Sequence, residues 1–144
     1  MLMKTLLAFT GAIALSACAA AKPVQATKLT FDSADVGYTQ IVMRASETQR
    51  NEQASVITFE DLNPDQGSKL TKGVFRLRSA ATVASARGYR YFVILQTASD
   101  DDAYMIGLLP ARDTDFGERF GDRFASLSRD GILDAQQLGP LDVR

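Results

Sequence analysis

The sequence predicts an α+β domain: a small, mostly antiparallel sheet with two helices packed on one face, in the order β-β-β-α-β-β-α. Three observations support this. Short apolar runs alternate with polar turn segments, which suits hairpins. One twenty-residue stretch, Ser68 to Arg87, carries the three-and-four apolar spacing of a helix. Only one connection between strand candidates holds such a stretch, which disfavours a doubly wound parallel sheet.

The elements run in chain order. KLTFD (28–32) is a short strand candidate. GYTQIVMRA (37–45) alternates Tyr38, Gln40, Val42 and Arg44 against Thr39, Ile41, Met43 and Ala45, the period of a half-buried strand. SETQRNEQ (46–53) has no apolar residue and reads as a solvated loop between hairpin strands. SVITFE (55–60) is the third strand, and LNPDQG (62–67) is turn chemistry. In the helix, Leu70, Val74, Leu77, Ala81 and Ala84 define the expected core stripe. Ser68 is its N-cap, and Gly88 sits where a left-handed C-cap is wanted. YRYFVILQ (89–96) is apolar enough for a central strand, and an acidic loop, 97–102, comes after it. AYMIGLL (103–109) is the fifth strand, stopped by Pro110. Asp115-x-x-Glu118 resembles a capping box that opens a last helix to Ser128. There Phe116, Phe120, Phe124 and Leu127 share one stripe, and Gly117 and Gly121 allow close packing against the sheet. From Gly131 the chain reads as an irregular tail with Leu133, Leu138 and Leu141 as docking points.

Composition removes several function classes. The chain has no histidine and one cysteine. Ser-His-Asp and Cys-His nucleophilic sites, His-ligated metals and disulfide scaffolds are therefore excluded. Sixteen basic against seventeen acidic residues give no global attraction to nucleic acid. There is no Ser-x-x-Lys dyad and no Gly-rich phosphate loop. The adjacent carboxylates Glu60 and Asp61 would point to opposite faces of a strand. Asp100–Asp102 and Asp113-x-Asp115 lack the spacing of a calcium loop, so no metal is expected.

The N-terminus has its own logic. Twelve of the first seventeen residues are apolar, and a single Lys4 precedes the run from Thr5 to Leu15. That is the pattern of a secretory signal peptide, too short to span a bilayer as a helix. Leu15-Ser16-Ala17-Cys18 closely resembles the lipobox of bacterial lipoproteins. The resemblance implies cleavage before Cys18, a diacylglycerol thioether (palmitate-type chains) and an N-acyl chain on that residue, and no other cofactor. Ala19 after the cysteine favours the outer membrane on the periplasmic side. The expected organisation is a cleaved leader, 1–17, an acylated tether, 18–27, and one periplasmic α+β domain, 28–144.

FRLRSAATVASARGYRYFVIL (75–95) carries a further resemblance. Arg78, Ala80, Gly88, Tyr89, Tyr91 and Phe92, with Gly37-Tyr38 upstream, resemble a group of small proteobacterial envelope lipoproteins. The likeness covers 37–96 and implies a lipobox and a small α+β domain, with no activity or binding residues attached.

One surface feature stands out. Lys69, Lys72, Arg76 and Arg87 fall within about a 60° sector of the helical wheel. Phe75 lies about 140° from Leu70, on this polar side. The stripe is either a solvated face opposite the core or a site for anionic lipid, lipopolysaccharide or an acidic envelope protein. The expectation is a non-enzymatic envelope lipoprotein that binds a partner. A ligand or lipid carrier with a pocket between sheet and helices is the alternative, and a hydrolase a third.

Overall fold

The computed structural model describes residues 28–143, which form a single antiparallel sheet with helices on both sides. The expected lipidation site, Cys18, with the leader and tether, lies outside the described residues.

β1 (Thr30–Asp32) runs into a 3-10 turn, Ser33–Val36, and the chain returns as β2 (Met43–Asn51). Ser33 holds this return together from inside. Its buried hydroxyl donates to the Ile41 carbonyl and accepts from the Met43 amide, both at 3.0 Å. β2 pairs antiparallel with β3 (Ala54–Asp61), with a register irregularity between Gln49 and Asn51. The polar stretch 46–53, expected as a loop, is thus mostly the far end of a hairpin, with a tight turn only at its tip. The strand expected over 37–45 begins only at Met43: the alternation holds from Ile41 to Ala45, whereas Thr39, expected inside, is exposed like Gln40 because 37–42 is a turn that carries the chain back to the sheet.

Helix α1 (Lys69–Ala86) starts where the cap chemistry places it, the Ser68 side chain accepting from the Thr71 amide. It ends in a Schellman arrangement: the Gly88 amide donates to Ser85 O and the Tyr89 amide to Ala84 O, with Gly88 at φ 87°. β4 (Tyr91–Thr97) and β5 (Ala103–Leu109) form the second hairpin. β5 inserts between β3 and β4, so α1 connects two strands that are not neighbours. After β5 come α2 (Phe116–Phe120), two 3-10 turns, β6 (Ile132–Asp134) and α3 (Ala135–Leu138). The strand order is β1-β2-β3-β5-β4-β6. The tail from Gly131 is therefore ordered, and its leucines dock as expected: Leu141 is buried, and Leu133 and Leu138 pack on the core.

Two apolar layers cover opposite faces of the sheet, because successive strand residues alternate sides. Phe92 belongs to the layer under α1 and Val93 to the other. Under α1, Phe75, Val83, Met43, Ile57, Ile106 and Leu108 interlock. On the other face Phe116 and Phe124 cover Val93, Leu95 and Leu109. The expected arrangement of both helices on one face is corrected here. The Phe row packs as a row, but on the sheet's second side. Its helix also stops after five residues, because Gly121 at φ 110° leaves helical space and a 3-10 turn, Asp122–Phe124, continues.

Candidate functional site

On sequence, helix α1 should show solvent a basic face, but the fold turns much of that face inward. Phe75 is completely buried, making edge-on contacts with the rings of Phe31 and Tyr38 at 6.1 and 5.7 Å. Burying a phenyl group is worth about 1.5–3 kcal/mol, more than any exposed charge returns. Phe75 therefore belongs to the core, not to an exposed partner surface. Lys72 is buried with its ammonium on Asp61 at 2.8 Å and the Pro64 carbonyl at 3.0 Å. Arg87 is buried against Glu47, its Nε donating to Glu47 Oε2 at 2.9 Å. Arg76 is half-buried near Tyr104, and its Nε makes no hydrogen bond among the described residues. Burial pushes the Tyr104 phenol up, the Asp101 charge adds to the rise, and Arg76 opposes both. Lys69 remains on the surface. The five residues thus form no common exposed stripe.

The rotation has a cause. The buried positions of the first turns are Lys72, Phe75 and Ser79, away from Leu70 and Val74. The Ser79 hydroxyl turns back to the Phe75 carbonyl at 2.7 Å, so a polar side chain sits inside without an unmet donor. Further along, Ala81 and Ala84 of the expected stripe are buried, because the C-terminal tail crosses that side of the helix. The Leu141 amide donates to Thr82 Oγ1 at 2.8 Å, and Arg78 Nε to the Gly139 carbonyl at 2.7 Å.

Leu70 and Val74 are left uncovered, Leu70 with 77% of its surface exposed. They line a groove of about 390 Å³ whose other wall is Gly37–Gln40. Among the described residues no charged one lines it. Tyr38 stands in that wall, fixed by Arg78, which donates to its hydroxyl at 2.8 Å and lies 5.6 Å from the ring centre. Val42 and Leu62 are neighbours of each other, the Leu62 amide donating to Val42 O at 2.8 Å, but neither lines the groove. Gly67 seals the join: a Cβ there would lie 2.3 Å from Ile41 Cγ2. The large apolar side chains exposed among the described residues are Val42, Leu62, Leu70 and Val74, and two of the four, Leu70 and Val74, share the groove. Exposed apolar groups that cluster mark contact surfaces, whereas scattered ones do not.

No protein-family model, curated protein or solved structure matches this chain. The positions behind the lipoprotein resemblance nevertheless have visible physical work. Arg78 clamps Tyr38, and Gly88 supplies the left-handed cap. Tyr89 lies under Arg119, and the Tyr91 ring has the guanidinium groups of Arg90 and Arg112 at 5.3 and 5.0 Å from its centre. Sequence reasoning misses the apolar groove because Leu70 and Val74 fit the core stripe as well as the true core does. The available counter-signal is Phe75, Ser79 and Val83, a second stripe at spacing four.

Proposed function

We propose that this protein is a lipid-anchored envelope lipoprotein that works by contact, not catalysis, and holds an apolar segment of a partner protein at the Leu70/Val74 groove. The observation that carries the contact surface is that exposed Leu70 and Val74 line one groove together, with no charged side chain in its lining among the described residues. A monomer with nothing to bind gains nothing from grouping such side chains. The anchor rests on Leu15-Ser16-Ala17-Cys18. Acyl chains on Cys18 would contribute about 0.8 kcal/mol per buried CH₂, and two or three chains hold a domain on a bilayer. Nine residues, 19–27, then separate Cys18 from the first described residue, a reach of at most about 35 Å. In this reading the domain works on the periplasmic side of the outer membrane.

Two measurements test the two halves separately. Metabolic labelling with palmitate should mark the wild type and not Cys18→Ala, which should also leave the membrane fraction. If Cys18→Ala still pellets with membranes, the anchor reading fails. A photo-crosslinking residue at Leu70 or Val74 should capture a discrete protein partner in cells. The same residue at Ala111, an exposed position after β5, should not. Capture of lipid alone, or equal capture from Ala111, would overturn the partner surface.

A further inference from the structure

We propose that a second site, on the opposite face of the sheet, binds an amphiphile with an oxyanion head and a short hydrocarbon tail. The groove lies between the β2–β3 hairpin and the α2 segment, with a volume of about 230 Å³. Its walls carry three arginines, Arg50, Arg119 and Arg123, and its floor is Leu95, Met105 and Phe120. Among the described residues no carboxylate lines it.

The charge state of those arginines separates this groove from the rest of the surface. The ion pairs of the described residues employ Arg44, Lys72, Arg87 and Arg90. The three groove arginines take no part in them. Two of the three are nevertheless held in place, by neutral acceptors. Arg119 donates through Nε to the Leu108 carbonyl at 2.9 Å and through a terminal nitrogen to Tyr89 Oη at 3.1 Å. Arg123 donates to Gln96 Oε1 at 3.1 Å, with its guanidinium 4.6 Å from the centre of the Phe124 ring. Neutral partners fix direction without cancelling charge, so both forks remain electrostatically unspent and already ordered. A guanidinium held in this way suits a planar or tetrahedral oxyanion, to which it can donate two bonds at once.

The floor sets which tail the head can carry. Phe120 lies against the backbone of β5, so close that a Cβ on Gly107 would fall 2.5 Å from the ring. A second hollow of about 230 Å³ shares Arg50 and Met105 and continues over Val56, Ala98 and Ala103, with Gln96 and Thr97 beside them. Head and tail therefore have adjoining places, charged at one end and apolar along the other. A bare anion would leave the floor wet, and an uncharged chain would leave the arginines unused.

The test uses the full chain, in phosphatidylcholine nanodiscs if it is acylated and in buffer if it is not, so its result does not depend on the anchor. Octyl phosphate is titrated by calorimetry, with empty discs subtracted. One saturable site is expected, and inorganic phosphate and octanol should each bind at least tenfold more weakly. Arg50→Gln with Arg123→Gln, both at exposed positions, should weaken octyl phosphate at least tenfold without altering the unfolding midpoint. Arg119→Gln is the stronger change but removes a bond to Leu108 and can cost stability, so Arg119→Lys, which keeps the charge, should restore part of the affinity. Flotation with phosphatidylglycerol vesicles identifies the source: binding lost in the double variant supports a bilayer lipid, and octyl phosphate binding without flotation supports a free amphiphile. Octyl phosphate binding that the double variant leaves unchanged, or octanol binding equally well, would overturn the site.

Discussion

Arg87 and Glu47 meet inside the fold, joining the C-terminal end of the helix to the second strand through two guanidinium–carboxylate contacts, the Nε bond at 2.9 Å. Both side chains are almost wholly excluded from water, and Ser55 Oγ donates to the same Glu47 oxygen at 2.8 Å. A buried pair of this kind contributes little over an apolar replacement of the whole pair, but it is costly to break from one side. Glu47→Leu should therefore destabilise the protein by about 3–5 kcal/mol in urea unfolding. Glu47→Leu combined with Arg87→Met should recover most of that loss. Equal losses for the single and double variants would mean that the pair is not the source.

The inversion of the helix face gives a direct contrast. Phe75→Ala should cost about 3–5 kcal/mol, as for a phenyl group removed from a filled core. Leu70→Ala, at an exposed position, should change stability by no more than about 0.5 kcal/mol. Sequence periodicity alone expects the opposite ranking. Chemical denaturation of the two variants side by side distinguishes them.

That contrast also shows what can and cannot be read in the chain. The limits of the helix are legible because capping is local: Ser68 and Gly88 act on groups within a few residues of themselves. The buried face is not, because it depends on partners far away in sequence. Lys72 can be interior only because Asp61 and the Pro64 carbonyl meet it, and Arg87 only because Glu47 does. Ala81 and Ala84 are interior both by periodicity and in the fold, although the tail that covers them lies some sixty residues away. The Phe row is legible as a packing row, but not the sheet face it takes. Of the two grooves, the apolar one is hidden because Leu70 resembles a core residue. The arginine groove is hidden because Arg50, Arg119 and Arg123 come together only through the hairpin register.

Close packing at Gly107 makes a sharper prediction about the second face. Because the Phe120 ring rests on that backbone, Gly107→Ala must displace the ring or the strand. The expected cost is about 1–3 kcal/mol, the range for overpacking. Phe120→Ala should also destabilise, but the double variant should lose less than the two single losses added together. Additive losses in a double-mutant cycle would show that the two sites do not meet.

Acid should loosen the fold from its edges. Both edge strands have only three residues, and each is tied by one arginine–carboxylate pair: Asp32 of β1 with Arg44 of β2 at 2.6 Å, and Asp134 of β6 with Arg90 at 2.9 Å. The hydrogen bonds from Arg44 and Arg90 hold both carboxyls below their usual range, desolvation opposing them. At Asp134, the amides of Gln136 and Gln137 also donate to the carboxylate, capping α3. A carboxyl whose folded pKa is depressed binds fewer protons when folded. Its stabilisation is complete above the unfolded value of about 3.9 and disappears as pH falls through the lower folded value. The arginines stay charged throughout and add no pH dependence there. The melting temperature should therefore be flat from pH 7 to about 5 as far as these two groups are concerned, and should fall below about pH 4. Asp134→Asn should melt lower at pH 7 and show a shallower acid decline, because the lost interaction can no longer titrate. Parallel melting curves for wild type and Asp134→Asn between about pH 5 and pH 2 would remove Asp134 as an acid-sensitive tie.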